Sequence, residues 1–190
     1  MKDRYGTLTI ALHWSMLALL AAVYACIELR GLWPRGSEPR ELIKTWHYML
    51  GLCVLLLVFV RIGARLAGGT PPIEPKPPGW QLGLGHAIHG LLYLLMLGMP
   101  LGGWLILSAE GDAVPFFGFT LPPLVAESKA LAEQVEEIHE AVGKAGYFLV
   151  GLHAVGALFH HYVVRDNTLL RMLGRSVRTS PTDPVSSARP

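Results

Sequence analysis

The chain has 190 residues, of which 52% are hydrophobic and 16% charged, and its formal net charge is +2. Together with a positive mean hydropathy, this composition excludes an ordinary soluble domain and indicates an integral membrane protein. The small net charge, with basic residues in short loops that lack interleaved aromatic residues, argues against a nucleic-acid partner. Cys26 and Cys53 form no Cys-x-x-Cys pattern, which excludes a redox dithiol and a thioether-linked cofactor.

Four apolar segments, each near the roughly 20 residues that a bilayer requires, follow one another along the chain. They cover approximately residues 8–27, 48–62, 88–107 and 142–164. The second is short in strictly apolar residues, and we extend it back through Trp46 and His47 to Ile43 to reach the full length. The sequence therefore predicts an all-α fold, an integral membrane four-helix bundle.

The connections between these segments differ in character. Residues 68–79 read GGTPPIEPKPPG, and this proline density predicts a semi-rigid extended linker. Residues 115–125 are rich in aromatic residues and proline, which suits a membrane interface. Residues 128–144 carry apolar residues at helical spacing and are predicted to extend the fourth helix. We predict one transmembrane domain over residues 1–175 and a disordered cytoplasmic tail over residues 176–190, which are rich in Ser, Pro and Thr.

The distribution of Lys and Arg predicts the orientation of the bundle, because cytoplasmic loops keep the excess of positive charge. With the N-terminus inside, the inner segments hold ten Lys and Arg residues and the outer segments hold six. We therefore expect a multi-pass protein with both termini in the cytoplasm. A cleaved signal peptide is the competing interpretation of the first segment, since residues 22–26, AVYAC, offer small residues near its end. His13 and Trp14 interrupt the apolar region and argue against it.

Four of the eight histidines lie within the apolar segments or at their ends: His13, His47, His139 and His153. His139 and His153 are 14 residues apart on one predicted helix, so they share a face and stand about 21 Å apart. In the predicted topology, His13 and His153 lie on the inner side, and His47 and His139 on the outer side. This arrangement predicts two bis-histidine haem sites, one in each leaflet. Two imidazole ligands leave no open position on the iron, which favours electron transfer over oxygen binding.

The remaining histidines have weaker interpretations, and an interhelical hydrogen bond is an ordinary role for any single membrane histidine. His86 and His89 start the third span, where they could compete for the inner haem, although hydration or a place beside a quinone suits them better. His160 shares the face of His153 and points toward the inner haem region, whereas His161 is expected to face lipid headgroups. A metal-ion transporter or interaction subunit remains an alternative, weakened because Glu28 is the only carboxylate in the spans, and a purely structural anchor is another.

Four sequence blocks carry a resemblance to a known family: ALHW at residues 11–14, ELRGLWPR at 28–35, PPIEPKP at 71–77 and GYFLVGLHAVGALFHHYVVRDNTLLRM at 146–172. They resemble the bacterial cytochrome b561 family, and the similarity extends over nearly all of residues 5–172. The chain departs from the pattern in a slightly longer first outer loop and a longer C-terminal tail. The resemblance implies a four-helix protein of the bacterial inner membrane with two b haems, ligated at His13, His47, His139 and His153.

The resemblance also implies an enzymatic activity, the one-electron oxidation of superoxide to dioxygen at the periplasmic face, with electrons passed through haem b to ubiquinone. Positive potential raises the encounter rate of a small anion, and Arg35 and Lys44 are the preferred candidates for steering superoxide. They can equally be ordinary solvated loop charges, and the acidic second outer loop argues partly against steering. His160 is the candidate for proton supply to the quinone. No protein partner is required in this scheme; the alternative is an electron-relay subunit that serves a separate dehydrogenase or hydrogenase.

Overall fold

The computed structural model describes residues 4–174 and consists almost entirely of helices. The four long helices are α1 (Thr7–Leu29), α2 (Glu38–Gly68), α3 (Gly79–Glu110) and α4 (Lys129–Phe159). A 3₁₀ turn, Arg30–Leu32, ends α1, a π-helical turn, His160–Val164, continues α4, and a short helix α5 (Thr168–Met172) follows. Each long helix is long and apolar enough to cross a membrane. The predicted four-helix bundle is thereby confirmed, while the predicted tail, residues 176–190, lies outside the described residues.

The helices extend beyond the predicted apolar segments because polar residues continue them at their ends. Helix α2 begins with Glu38 and has Pro39 in its first turn, where a missing N–H costs nothing. Helix α4 is capped by Ser128, whose hydroxyl oxygen accepts a hydrogen bond from the Leu131 N–H at 3.4 Å. Residues 129–144, predicted to extend the fourth helix, are indeed part of α4.

The apolar core lies between the first three helices. Its central cluster comprises one residue of α1, two of α2 and two of α3: Met16, Val54, Val58, Leu92 and Met96. Along α4, by contrast, only Ala132 and Gly146 are buried. Among the described residues, α4 packs its backbone closely against α3 but not against α1 or α2. Helix α4 therefore brings histidines, rather than a row of large apolar side chains, to the interior of the bundle.

The outward-facing side chains are strongly apolar, as expected for a bundle surrounded by lipid. Leu66 and Phe148 are each 80% exposed, and Leu94 is 67% exposed. In a protein surrounded by water such large exposed apolar side chains would be costly as a contiguous surface. The surface therefore agrees with the membrane assignment of the four helices.

One end of the bundle, here called the hairpin end, carries a short antiparallel hairpin. Strands β1 (Val114–Phe116) and β2 (Phe119–Leu121) pair with Phe116 opposite Phe119. The two loop residues between them both have positive φ angles, +45° and +87°, as a tight two-residue hairpin turn requires. Val114 is buried against Leu52 and Leu107. The stretch predicted only as an interfacial segment is thus an ordered lid that packs beside Leu52 of α2 and near the end of α3.

The opposite end, here called the linker end, joins the proline-rich linker to the chain that leaves α4. The Asn167 side-chain oxygen accepts a hydrogen bond from the Glu74 N–H at 3.0 Å, and the Asn167 N–H donates to the Glu74 carbonyl at 3.0 Å. The Asn167 amide also donates to the Pro72 carbonyl at 3.4 Å, and Arg171 donates to the Pro71 carbonyl. Burial lowers the pKa of Arg171. The linker is therefore held in place by hydrogen bonds, and not by proline stiffness alone.

The hydrogen bonds that Asn167 and Arg171 make to the linker, here called the linker clamp, generate a stability prediction. Substitution of Asn167 by Ala removes the acceptor for the Glu74 N–H and the donor to the Pro72 carbonyl, at an expected cost of about 1–2 kcal/mol. Thermal unfolding of the detergent-purified protein, followed by circular dichroism, should show a lower midpoint. Lys76→Ala is the matched control, because Lys76 is an exposed residue of the same linker. Equal midpoints for the two variants would contradict the clamp.

Candidate cofactor site

Two pairs of imidazole rings lie inside the bundle. The rings of His13 and His153, here called the linker-side pair, have centroids 6.1 Å apart. The rings of His47 and His139, here called the hairpin-side pair, have centroids 6.4 Å apart. All four residues are partly buried. In both pairs one ring belongs to α4, and the partner comes from α1 or α2, the two helices from which the α4 backbone stands apart.

The two pairs occupy two levels of the bundle because a 14-residue spacing recurs on three helices. It separates His47 from Arg61 on α2, His89 from Gly103 on α3, and His139 from His153 on α4. Fourteen residues of α-helix return close to the same face after about 21 Å. At the linker-side level each long helix thus contributes one basic side chain: His13, Arg61, His89 and His153.

The hairpin-side pair is oriented by backbone groups. The Nδ1 atom of His47 lies 3.1 Å from the Val23 carbonyl oxygen, to which its N–H can donate. A hydrogen bond from one ring nitrogen leaves the other, Nε2, free to bind a metal, and it also sets the ring direction. His139 packs against glycines of α3: a Cβ atom on Gly102 would lie 3.3 Å from His139 Nδ1. The His139 Nδ1 atom is buried and has no hydrogen-bond partner among the described residues.

The linker-side pair has two further basic neighbours. The His89 ring centroid lies 5.1 Å from that of His153. The guanidinium of Arg61 lies within Coulombic range of the imidazoles of His13, His89 and His153. Its Nη1 atom is buried, and within residues 4–174 no group accepts a hydrogen bond from it.

The ring separations test whether these residues fit a haem. Two imidazoles on one iron have centroids about 6.2 Å apart, given two metal–nitrogen bonds of about 2 Å and about 1.1 Å from each nitrogen to its ring centre. The observed 6.1 and 6.4 Å agree with that separation. The 5.1 Å between His89 and His153 is too short for ligation from opposite sides of one iron. The two pairs therefore fit bis-histidine haem b, and His89 fits a neighbouring position.

A tyrosine links α1 to α4 between the two levels. The Tyr24 hydroxyl donates to the Gly143 carbonyl at 2.9 Å, and its ring lies 4.3 Å from that of Tyr147. The Tyr147 hydroxyl in turn donates to the Glu28 carboxylate at 2.6 Å. A Cβ atom on Gly146 would overlap the Tyr24 hydroxyl oxygen. Gly146 is therefore required for the close approach of Tyr24, and these contacts help to hold α4 at its distance from α1.

The cations of the first loop at the hairpin end differ in their surroundings. The Lys44 ammonium lies 2.9 Å from the Glu41 carboxylate, so its charge is partly compensated. Arg40 donates to the carbonyls of Arg30 and Trp33 at 3.0 and 3.2 Å, which closes the turn after α1. Arg35 is exposed, and no ion-pair partner is found for it within residues 4–174.

The other histidines also lie at the linker end. The His160 Nδ1 atom lies 2.5 Å from the carboxylate of Asp166, whose side chain is fully buried. His86 is exposed, and the His161 ring stands edge-on to that of Tyr162 at 4.8 Å. The sequence analysis preferred hydration or a place beside a quinone for His89 over competition for the inner haem, and it assigned Arg61 no part in a site. The 14-residue spacing from His47 and from Gly103 was the signal that could have placed both of them beside His153.

Four membrane-length helices with paired imidazoles at two depths are the architecture of a membrane b-type cytochrome. The chain matches the family model described as prokaryotic cytochrome b561 over residues 4–175, and it therefore belongs to that family. The resemblance drawn from the sequence blocks is confirmed. Family membership makes the chain a multi-pass membrane protein that carries b-type haem and transfers electrons. It favours an electron carrier over the metal-ion transporter and the structural anchor considered above.

Three relatives illustrate the family. Cytochrome b561 homolog 1 of Escherichia coli (strain K12) is 39% identical over 173 residues, which cover 91% of this chain and 98% of the relative. A Yersinia pestis protein named probable superoxide oxidase CybB is also 39% identical over 173 residues, 91% of this chain and 97% of the relative. Cytochrome b562 of Cereibacter sphaeroides is 33% identical over 173 residues, 89% and 94% of the two chains.

The packing of Tyr24 on α4 generates a prediction. Gly146→Ala should destabilise the protein by about 1–3 kcal/mol, because the new Cβ displaces the Tyr24 hydroxyl from the Gly143 carbonyl. Gly151→Ala on the same helix is the control, since nothing lies within 4 Å of its Cβ position. It should be neutral, or stabilising by up to about 1 kcal/mol through helix propensity.

A double variant makes this test specific. Adding Tyr24→Phe to Gly146→Ala removes the overlapping oxygen atom and should restore part of the lost stability. Thermal midpoints in one detergent compare the variants. If Gly146→Ala were as stable as Gly151→Ala, the close approach of Tyr24 to α4 would be wrong.

Proposed function

We propose that this chain is a di-haem b cytochrome that oxidises superoxide to dioxygen at the periplasmic face and passes the electrons through haem b to ubiquinone. The observation that carries the proposal is the presence of two imidazole pairs, 6.1 and 6.4 Å between ring centroids, at two levels of one membrane bundle. The name of the Yersinia pestis relative, probable superoxide oxidase, supports the choice of substrate.

The ligand assignment follows from the two pairs. His13 and His153 hold the linker-side haem, and His47 and His139 hold the hairpin-side haem. When bound, the haems supply reversible one-electron redox chemistry. With two imidazoles to hold each iron, the protein side chains would favour electron transfer over oxygen binding.

The proposed orientation places the hairpin end in the periplasm and both termini in the cytoplasm of a bacterial inner membrane. The excess of Lys and Arg in segments at the linker end supports it. In this orientation the hairpin-side pair lies near the donor and the linker-side pair near the cytoplasmic side. The two levels that would hold the haems stand roughly 21 Å apart along α4.

At the hairpin end, the chain has to attract a small anion. Superoxide loses one electron and leaves as dioxygen, so this half-reaction requires neither an acid nor a base. Arg35 is exposed without an ion-pair partner in the described part of the chain and supports a role in attraction. Lys44 contributes less, because the Glu41 carboxylate at 2.9 Å compensates part of its charge.

At the linker end, quinone reduction requires protons as well as electrons. Two superoxide anions supply two electrons, and ubiquinone takes up both together with two protons to form ubiquinol. His160 is the proposed proton donor, since the Asp166 carboxylate at its Nδ1 atom orients the ring and leaves Nε2 available to the quinone. Asp166 acts here as a positioning residue.

One observation favours a second function, an electron relay that serves a separate dehydrogenase or hydrogenase. The first turns of α4, at the hairpin end, carry four exposed glutamates: Glu133, Glu136, Glu137 and Glu140. A negative surface repels superoxide and suits a basic protein partner. In that case superoxide would reduce the haems slowly, and a protein donor would be required.

Stopped-flow spectroscopy distinguishes the two functions. The oxidised, purified protein is mixed with a pulse of superoxide, and a pyridine haemochrome assay on the same sample counts the haems. Two b haems per chain, reduced near the diffusion limit and reoxidised by ubiquinone, are expected for the proposed function. Two haems with slow reduction would favour the relay, and a protein without haem would overturn both.

Ligand removal generates the first prediction of this scheme. His153→Ala should lower the haem content from two to one per chain, because the linker-side haem loses an axial ligand. The control is His86→Ala, at an exposed histidine of the same end, which should keep both haems. The pyridine haemochrome assay measures the content, and two haems at full occupancy in His153→Ala would refute the linker-side assignment.

Charge removal generates the second prediction of this scheme. The double variant Arg35→Gln/Lys44→Gln should slow superoxide oxidation by roughly two- to ten-fold at low salt and flatten its salt dependence. The control double variant Lys76→Gln/Arg165→Gln removes the same charge from exposed positions at the linker end. Steering is wrong if both double variants react at the wild-type rate.

A further inference from the structure

We propose that the guanidinium of Arg61 binds a propionate carboxylate of the linker-side haem. The inference rests on the proposed function only in that a haem is held by His13 and His153. It assigns a role to a charged side chain that does not ligate the iron and that lies within helix α2 and not in a loop. The class of ligand is an alkyl carboxylate, carried by the porphyrin itself.

The first argument is the cost of the guanidinium without an anion. Arg61 Nη1 is buried, and no group among residues 4–174 accepts a hydrogen bond from it. Arg61 as a whole is only half-buried, but a charged donor whose buried N–H groups lack an acceptor costs about 1–3 kcal/mol or more, and arginine does not escape that cost by losing its proton. The position therefore requires an acceptor from outside the described chain.

The second argument is the character of the neighbours. The imidazoles of His13, His89 and His153 lie within Coulombic range of the Arg61 guanidinium, and as neutral rings they cannot compensate its charge. None of the ion pairs found within residues 4–174 brings a carboxylate to Arg61. An anionic ligand would compensate the charge of the guanidinium, whereas a neutral ligand would not.

The third argument is the position of Arg61 in the helical pattern. Arg61 stands 14 residues after His47 on α2, as His153 stands 14 residues after His139 on α4. It therefore reaches the level of the linker-side pair on the face that carries His47 at the other level. A haem held there by His13 of α1 and His153 of α4 offers two carboxylates, and the planar guanidinium suits bidentate binding of one of them.

Infrared difference spectroscopy tests this contact directly. The full-length protein is produced with haem whose propionate carboxyl carbons carry ¹³C, introduced by feeding 5-aminolevulinic acid labelled at C1. Redox-induced difference spectra of labelled and unlabelled holoprotein then identify the carboxylate bands. Arg61→Gln should shift a labelled band and lower the midpoint potential of one haem. A nearby positive charge favours the ferrous form over the more positive ferric form, so its removal stabilises the ferric form relative to the ferrous form.

Matched variants separate the contact from a general loss of charge. Arg65→Gln removes an equal charge one helical turn further along α2 and should leave the labelled bands in place. Arg61→Lys keeps the charge but loses the bidentate geometry, so it should shift the same band with a smaller change in potential. It also provides the test if Arg61→Gln fails to assemble.

The outcomes distinguish this proposal from the proposed function. A wild-type protein without two b haems would overturn the ligand assignment before Arg61 is tested. Two haems with labelled bands identical in the wild type, Arg61→Gln and Arg61→Lys would overturn only the propionate contact. That second result would assign the guanidinium to another anion, such as a lipid phosphate.

Discussion

An imidazole buried in a lipid-embedded bundle must find a partner for its ring nitrogens, because an unpaired polar group there costs about 1–3 kcal/mol or more. The bundle meets this requirement unevenly. His47 uses the Val23 carbonyl, whereas His139 Nδ1 and Arg61 Nη1 find no partner among the described residues. Chain atoms alone therefore do not complete the interior. In the proposed assignment a haem would lie between each pair of rings, and the spacing of the helices leaves room for it.

Helix α4 shows how that room is made. It packs its backbone against α3 and approaches α1 and α2 mainly through polar and aromatic side chains, including Tyr24 on the Gly143 carbonyl. Close apolar packing along all four helices would close the interior, since protein cores tolerate few voids. The buried residues of the apolar cluster come from α1, α2 and α3, where Val58 is fully buried, and α4 adds only the partly buried Leu149 and Val150. Stability and cofactor binding thus use different helix faces, with glycine at the positions where a side chain or another ring comes closest.

The two ends of the bundle are closed by different means. The hairpin end is covered by a two-stranded lid, and the linker end by hydrogen bonds between Asn167 and the proline-rich linker. Asp166, next to Asn167, holds His160. The residues that position the proposed proton donor and those that anchor the linker are therefore neighbours on one short segment. A substitution in that segment is therefore expected to affect both the position of the proposed proton donor and the anchoring of the linker.

The sequence by itself determined the four membrane helices, because runs of about 20 apolar residues are needed to cross a bilayer and are readable without any contact. It also predicted that His139 and His153 share a face, since both lie on one helix. The packing of the hairpin on α2, the clamp on the linker and the place of His89 beside His153 depend on contacts between residues far apart in the chain, and only the tertiary structure decided them. The compensation of Lys44 by Glu41 and the isolation of Arg61 were likewise hidden, because whether a charge finds a partner is decided by side-chain placement and not by composition.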